Sequence, residues 1–147
     1  MNMKCTLVID PTREEELVLY VREKHTLAQR LEALATEGER EWIGYREGEA
    51  VRFSPEDVIC FFVEDGKVWA RMPREVLRVR ERLYVLEPRL EDTFVKIHQS
   101  CIANIKQMKR FDTSMAGTLL VTFQNGHREY VSRRQLKIVK ERIGIFR

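Results

Sequence analysis

Long apolar runs are missing from this chain of 147 residues. The longest, Val58 to Val63, is far short of the ~20 residues needed to span a bilayer. The start, Met1-Asn2-Met3-Lys4-Cys5, is not followed by an apolar stretch, so a secretory signal is not expected and the cytoplasm is the expected compartment. Cysteine is scarce as well. Cys5, Cys60 and Cys101 are odd in number, far apart and without C-x-x-C spacing, which argues against a disulfide framework and against a zinc site. Seven glycines and four prolines leave no long flexible linker. The three histidines, His25, His98 and His127, do not combine with Cys or Asp at metal-ligand spacing. Neither G-x-x-x-x-G-K nor G-x-G-x-x-G occurs. His98 and Cys101 lie close in sequence, but an apolar strand cysteine is usually a core residue. The expectation is therefore no enzyme, no metal and no small-molecule cofactor.

What is present is a core and an uneven charge. Hydrophobic residues make up 44% of the chain and charged residues 33%, enough for a packed domain and too apolar for a disordered one. The net charge of +3 conceals a gradient. Residues 1–50 carry −4, residues 51–94 carry −1, and residues 95–147 carry +8. A basic final third on a near-neutral chain suggests a nucleic-acid footprint, or less often an anionic membrane surface. The plain alternative is a solvated basic face without a partner.

The periodicities divide the chain. Lys4 to Asp10 reads as a strand. Asp10-Pro11-Thr12 then reads as a helix start, with Thr12 and Glu15 at capping-box spacing and Gly38 as a stop. A break is expected near His25-Thr26. This makes a βα unit of about 38 residues, too small to be stable alone. From Trp42 the pattern changes to short β-like runs: Trp42–Arg46, Ala50–Phe53, Val58–Val63, Lys67–Met72 and Glu75–Val79. Glu64-Asp65-Gly66 predicts a hairpin turn with Gly66 at positive φ. Leu83, Leu86 and Leu90 predict a short helix. Strands resume at Phe94–Ile97, Cys101–Ala103, Ile105–Asp112, Thr118–Phe123 and Arg128–Val131. Gln124-Asn125-Gly126-His127 predicts a type I′ hairpin. Ser132 with Gln135 predicts a capping box opening a last helix, with Leu136, Val139 and Ile143 on its apolar face. The fold class expected is mainly β and antiparallel with short helices, preceded by the small βα unit.

Three places have the chemistry to touch a polyanion. Ser132-Arg133-Arg134 at a helix N-terminus would offer backbone N–H groups and two guanidinium forks to phosphate or guanine. Its plain alternative is a helix cap beside two solvated arginines. His98-Gln99-Ser100, between apolar runs, offers polar groups suited to base edges, or is an ordinary polar turn. Lys67 follows a turn and could reach a phosphate, although an exposed lysine there is usually just solvated. Asn104 reads as structural, its amide tying a strand corner to the backbone.

The ordered set FVKIHQSCIANIKQMKRF (94–111) and LLVTFQNGHREYVSRRQLKIVKERIG (119–144) resembles LytTR-type DNA-binding domains. Phe94, Lys96, Ile97, His98, Ser100 and Asn104 match the family's "F-x-[RK]-I-H-[RK]-S-x-x-[VA]-N" stretch. Asn125, Gly126, Val131, Ser132 and Arg133 match the Asn-Gly turn and the "V-S-R" opening of its last helix. The resemblance covers about residues 42–146. It implies an elongated antiparallel β fold that sets loops and a helix N-terminus, rather than a recognition helix, into the major groove. Carried over, the implied DNA contacts are Lys67, His98, Gln99, Ser100, Ser132, Arg133 and Arg134. Gln99 replaces a usual basic residue and Cys101 a usual aromatic one. Residues 42–147 are thereby assigned to DNA, and residues 1–40 are expected to serve dimerisation or partner binding, because an acidic amphipathic unit this small needs a surface to cover. About 40 residues stand where many relatives carry a phosphorylatable receiver domain, so the chain resembles a stand-alone member of this response-regulator-like family. The resemblance implies a transcriptional regulator that binds double-stranded DNA, a homodimer, and a membrane-protein regulatory partner. The alternatives are a protein-interaction or anti-regulator module that keeps the fold without DNA binding, and a single-stranded RNA binder, for which the basic third has few stacking aromatics.

Overall fold

The computed structural model describes residues 3–37 and 41–145, and the chain divides into two units, 1–38 and 39–147.

Among the described residues of the first unit, regular structure is confined to helix α1, Thr26–Glu37. The expected strand at Lys4–Asp10 does not form. Leu7, Val8 and Ile9 are exposed, and an extended segment becomes a strand only when a neighbour takes its backbone groups. The expected helix start at Asp10-Pro11-Thr12 does not form either. The Asp10 carboxylate accepts from the Thr12 amide (3.0 Å) and hydroxyl (2.7 Å), closing a turn instead of a capping box. These two bonds hold the Asp10 carboxyl below the usual carboxylate range. Residues 14–22 carry Leu17, Val18 and Tyr20 exposed, and a short helix with no packed face is marginal in water. The helix begins where the break was expected. His25 caps it, Nδ1 accepting from the Ala28 amide at 3.1 Å. Gly38 as its stop lies outside the described residues.

The second unit is mostly antiparallel sheet. A hairpin of β1 (Ile43–Arg46) and β2 (Glu49–Arg52) turns at Glu47-Gly48. The next, of β3 (Cys60–Glu64) and β4 (Lys67–Arg71), turns at Asp65-Gly66. Both residues of each turn have positive φ, as type I′ requires. Strand β5 (Val76–Val79) follows, then helix α2 (Leu83–Leu86) and a 3₁₀ turn through Arg89. Strands β6 (Phe94–His98) and β7 (Cys101–Asn104) complete a seven-stranded sheet of order β2-β1-β5-β4-β3-β7-β6. Strands β8 (Met108–Asp112), β9 (Leu120–Phe123) and β10 (Arg128–Tyr130) form a second sheet, and helix α3 (Leu136–Ile143) ends the unit.

Period-two alternation gives the large sheet two buried faces. On one, Cys60, Val95, Ile97, Cys101 and Ala103 join Leu119, Val121 and Phe123 of the second sheet and Val139 of α3. On the other, Phe61, Val68, Ala70, Phe94 and Ile102 lie with Leu86 and Leu90 of the α2 region. Asn104 makes the corner between the sheets. Its side-chain amide donates to the Glu56 (3.1 Å) and Val58 (3.0 Å) carbonyls, and its oxygen accepts from the Lys106 amide (3.1 Å). That cap starts a 3₁₀ turn at Ile105–Gln107, which breaks the single strand expected over Ile105–Asp112.

Candidate nucleic-acid interface

The β3–β4 turn and the β6–β7 turn lie side by side at one end of the large sheet. Glu64 pairs with Lys67, Phe62 pairs with Cys101, and the Val63 amide donates to the Ser100 carbonyl at 2.9 Å. The third element is tied to the second in the same way, the Ser132 amide donating to the Ile97 carbonyl at 2.8 Å. All seven residues singled out in the sequence therefore sit on three elements linked by backbone hydrogen bonds. Lys67, Gln99, Arg133 and Arg134 are exposed, and His98, Ser100 and Ser132 are half-buried.

Two local geometries differ from expectation. Ser132 does not cap the last helix. Its carbonyl accepts from the Gln135 amide (3.0 Å) in a turn, and the α pattern starts only when the Gln135 carbonyl accepts from Val139 (2.9 Å). Ser132 is held to β6 through its own amide, so Arg133 and Arg134 ride on a turn ahead of α3 rather than on its first residues. The Asn125-Gly126 hairpin forms but is not type I′. Gly126 has φ 90° and Asn125 has no positive φ. The Asn125 side chain accepts from the His127 amide (3.0 Å), and the Gly126 amide donates to Phe123 (2.9 Å). That is a type I turn followed by a left-handed glycine, the three-residue hairpin solution.

His98 is aimed by a bulge. Lys96 pairs with Ile102, yet His98 pairs with Cys101, so Ile97 is an extra residue in β6. An extra residue turns the rest of its strand over by one face, which brings the imidazole toward β10. Its Nδ1 accepts from the Ser100 amide at 3.2 Å, so the proton sits on Nε2, which meets Glu129 Oε2 at 3.3 Å. The other oxygen of Glu129 meets His127 Nε2 at 3.0 Å. A single half-buried carboxylate thus bridges the His98-Gln99-Ser100 turn and the β9–β10 hairpin. Sequence reasoning missed Glu129 and His127 because a bulge leaves no mark in a polar-apolar pattern.

Cys101 faces the same side as His98 but is not poised for attack. Hydrogen bonding to Cys60, and then burial, push its thiol up, which keeps it protonated. Among the described residues no cluster of His, Cys, Asp or Glu could hold a metal ion, and no helix is long and apolar enough to cross a membrane.

This geometry has counterparts among known proteins. Residues 48–144 match the family described as LytTr DNA-binding domain. Uncharacterised HTH-type transcriptional regulators of Staphylococcus aureus strains COL and Mu50 are each 32% identical over 103 residues, 70% of this chain and 70% of theirs. Among solved structures, the LytTr DNA-binding domain of a protein described as a methyl-accepting/DNA response regulator from Bacillus cereus superposes with a TM-score of 0.68 at 20% identity. That match covers 73% of this chain and 99% of the other, and at such identity it shows a shared fold. The relatives' helix-turn-helix label has no counterpart among the described residues here: α2 and α3 are separated by five strands.

Proposed function

Since the chain belongs to the LytTr DNA-binding domain family, we propose that it is a sequence-specific transcriptional regulator whose three linked elements enter the major groove of duplex DNA. The observation that carries this is the linkage itself. Two backbone hydrogen bonds hold the Lys67 hairpin, the His98-Gln99-Ser100 turn and the Ser132-Arg133-Arg134 turn at one end of the unit. Lys67, Arg133 and Arg134 stand exposed there, and none is engaged by a carboxylate of the described residues. Cations without internal partners are available to phosphates, and exposed Arg and Gln can read guanine and adenine edges.

In this reading Lys67 positions the protein on the backbone, while Gln99 and the Arg133-Arg134 pair read bases. His98 is oriented by Glu129 so that its loop presents a fixed edge. The working form is a homodimer on a repeated site, in the cytoplasm, with residues 1–40 serving dimerisation or a membrane-protein regulatory partner.

A gel shift with random duplex DNA at two salt concentrations tests the reading. Binding that falls steeply with salt is expected, with a log–log slope near −0.9 per phosphate neutralised. Selection from a random duplex library should then yield one motif and its repeat spacing. Failure of any duplex to shift at low salt would leave the anti-regulator alternative, in which the fold is kept and DNA binding lost.

A further inference from the structure

Away from the Lys67 end, one face of the large sheet carries a second group of cations that no carboxylate of the described residues pairs with. Arg71 lies over the Phe62 ring (4.6 Å), Arg78 over Trp69 (6.0 Å) and Arg80 over Tyr45 (4.1 Å). The register places them together, because Phe62 pairs with Trp69, Trp69 with Arg78, and Arg78 with Tyr45. The Nε atoms of Arg71 and Arg78 are buried and have no hydrogen-bond partner among the described residues. The nearby carboxylates serve other arginines: Glu49 and Glu75 pair with Arg46, Glu41 with Arg52, and Glu81 with Arg89. A guanidinium stacked on a ring keeps its in-plane donors for an anion. Buried donors without acceptors are costly and unusual in a native structure. This face therefore has the chemistry to receive carboxylates carried on an apolar, extended backbone.

The chain itself contains such a ligand. Glu14-Glu15-Glu16-Leu17-Val18-Leu19-Tyr20-Val21 has no regular structure. Tyr20 is 93% exposed and Val18 58%. In an extended segment Glu14, Glu16, Val18 and Tyr20 point to one side, with neighbours on that side ~7 Å apart. Arg78 and Arg80 are likewise two residues apart along one strand direction, so the spacing of the carboxylates matches that of the guanidinium groups. Among the described residues Glu16 meets only Arg13, at 3.3 Å in a pair exposed on both sides, an engagement easily exchanged. A duplex backbone is the poorer occupant, because half-buried aromatic rings on a sheet face offer it little.

We propose that Glu14–Val21 of one copy of the chain docks on the Arg71-Arg78-Arg80 face of a second copy, reciprocally, and that this exchange is the dimer contact. The inference rests on the dimeric reading under the proposed function and gives that dimer its surface. Reciprocal exchange makes a closed, two-fold assembly and uses each face once.

Charge reversal in the full chain tests it, with sedimentation equilibrium as the measurement. Wild type should dimerise at micromolar concentration. Glu14→Lys with Glu16→Lys, placed where no regular structure can be lost, should weaken dimerisation by about tenfold or more. Arg78→Glu with Arg80→Glu should do the same, with circular dichroism checking that the sheet persists. Mixing the two variants should restore a heterodimer, which a merely structural role for these residues would not do. A monomeric wild type, whether its segment is free or docked within its own chain, overturns the proposal. So does a dimer indifferent to the Glu14 and Glu16 changes. Binding of the Glu14/Glu16 variant to a single DNA site, measured alongside, separates the two readings. Loss of dimer with retained single-site binding supports both, whereas absence of DNA binding in wild type strikes the functional reading and leaves the dimer test intact.

Discussion

Glu129 receives two imidazole N–H groups from different elements, and its removal asks how firmly His98 is held. Glu129→Ala should leave both donors half-buried without an acceptor. That costs ~1–3 kcal/mol by chemical denaturation and loosens the contact loop enough to weaken duplex binding severalfold. Glu129→Gln, which keeps an acceptor oxygen for one ring, should lose less. Arg134→Ala should cost ~1–3 kcal/mol of binding and relax one base position in a competition assay if it reads guanine. A uniform loss over all sequences assigns it to the phosphates instead. Asn104 is 1% exposed and its amide makes three backbone hydrogen bonds. Asn104→Ala should therefore unfold more easily by ~2–4 kcal/mol, seen as a lower denaturant midpoint at unchanged slope.

Elements differ in how much of themselves they show in sequence. The hairpins at Asp65-Gly66 and Asn125-Gly126 were legible because glycine at a tight turn has few other uses. The strands Cys60–Glu64 and Cys101–Asn104 were legible from near-continuous apolar runs, and Lys67–Arg71 and Phe94–His98 from runs in which buried residues recur among partly exposed ones. Lys4–Asp10 has the same local composition and is no strand, since pairing is a property of the neighbour and not of the segment. The type of the Asn125 turn, the start of α3 and the β6 bulge were hidden because each is decided by one tertiary hydrogen bond or by register. Lys67, His98, Gln99, Ser100, Ser132, Arg133 and Arg134 were singled out from turn and charge patterns, while the Glu129 bridge depended on that bulge. Gly44 is a further element-scale feature. A Cβ there would lie 2.6 Å from the Leu77 Cβ, across the β1–β5 seam. Gly44→Ala should push the β1–β2 hairpin off the sheet edge at a cost of ~1–3 kcal/mol, with faster amide exchange confined to β1, β2 and β5.

At the scale of the whole molecule, the three cysteines report on folding. Cys5 is exposed, and Cys60 and Cys101 are buried as free thiols, the latter held protonated by Cys60 and by burial. In native buffer an alkylating reagent should add to Cys5 alone, and the other two should react only at the global unfolding rate, read by mass spectrometry of the labelled peptides. The bonds from Val63 to Ser100 and from Ser132 to Ile97 have a wider effect. They tie together the three elements proposed to meet DNA, independently of any duplex. On the proposed reading, a comb whose teeth are tied together adjusts little to the grooves, so the grooves adjust to it. Part of the selectivity then lies in how cheaply the intervening base steps bend. Positions that no side chain touches should matter, with flexible pyrimidine–purine steps preferred between the contacted ones.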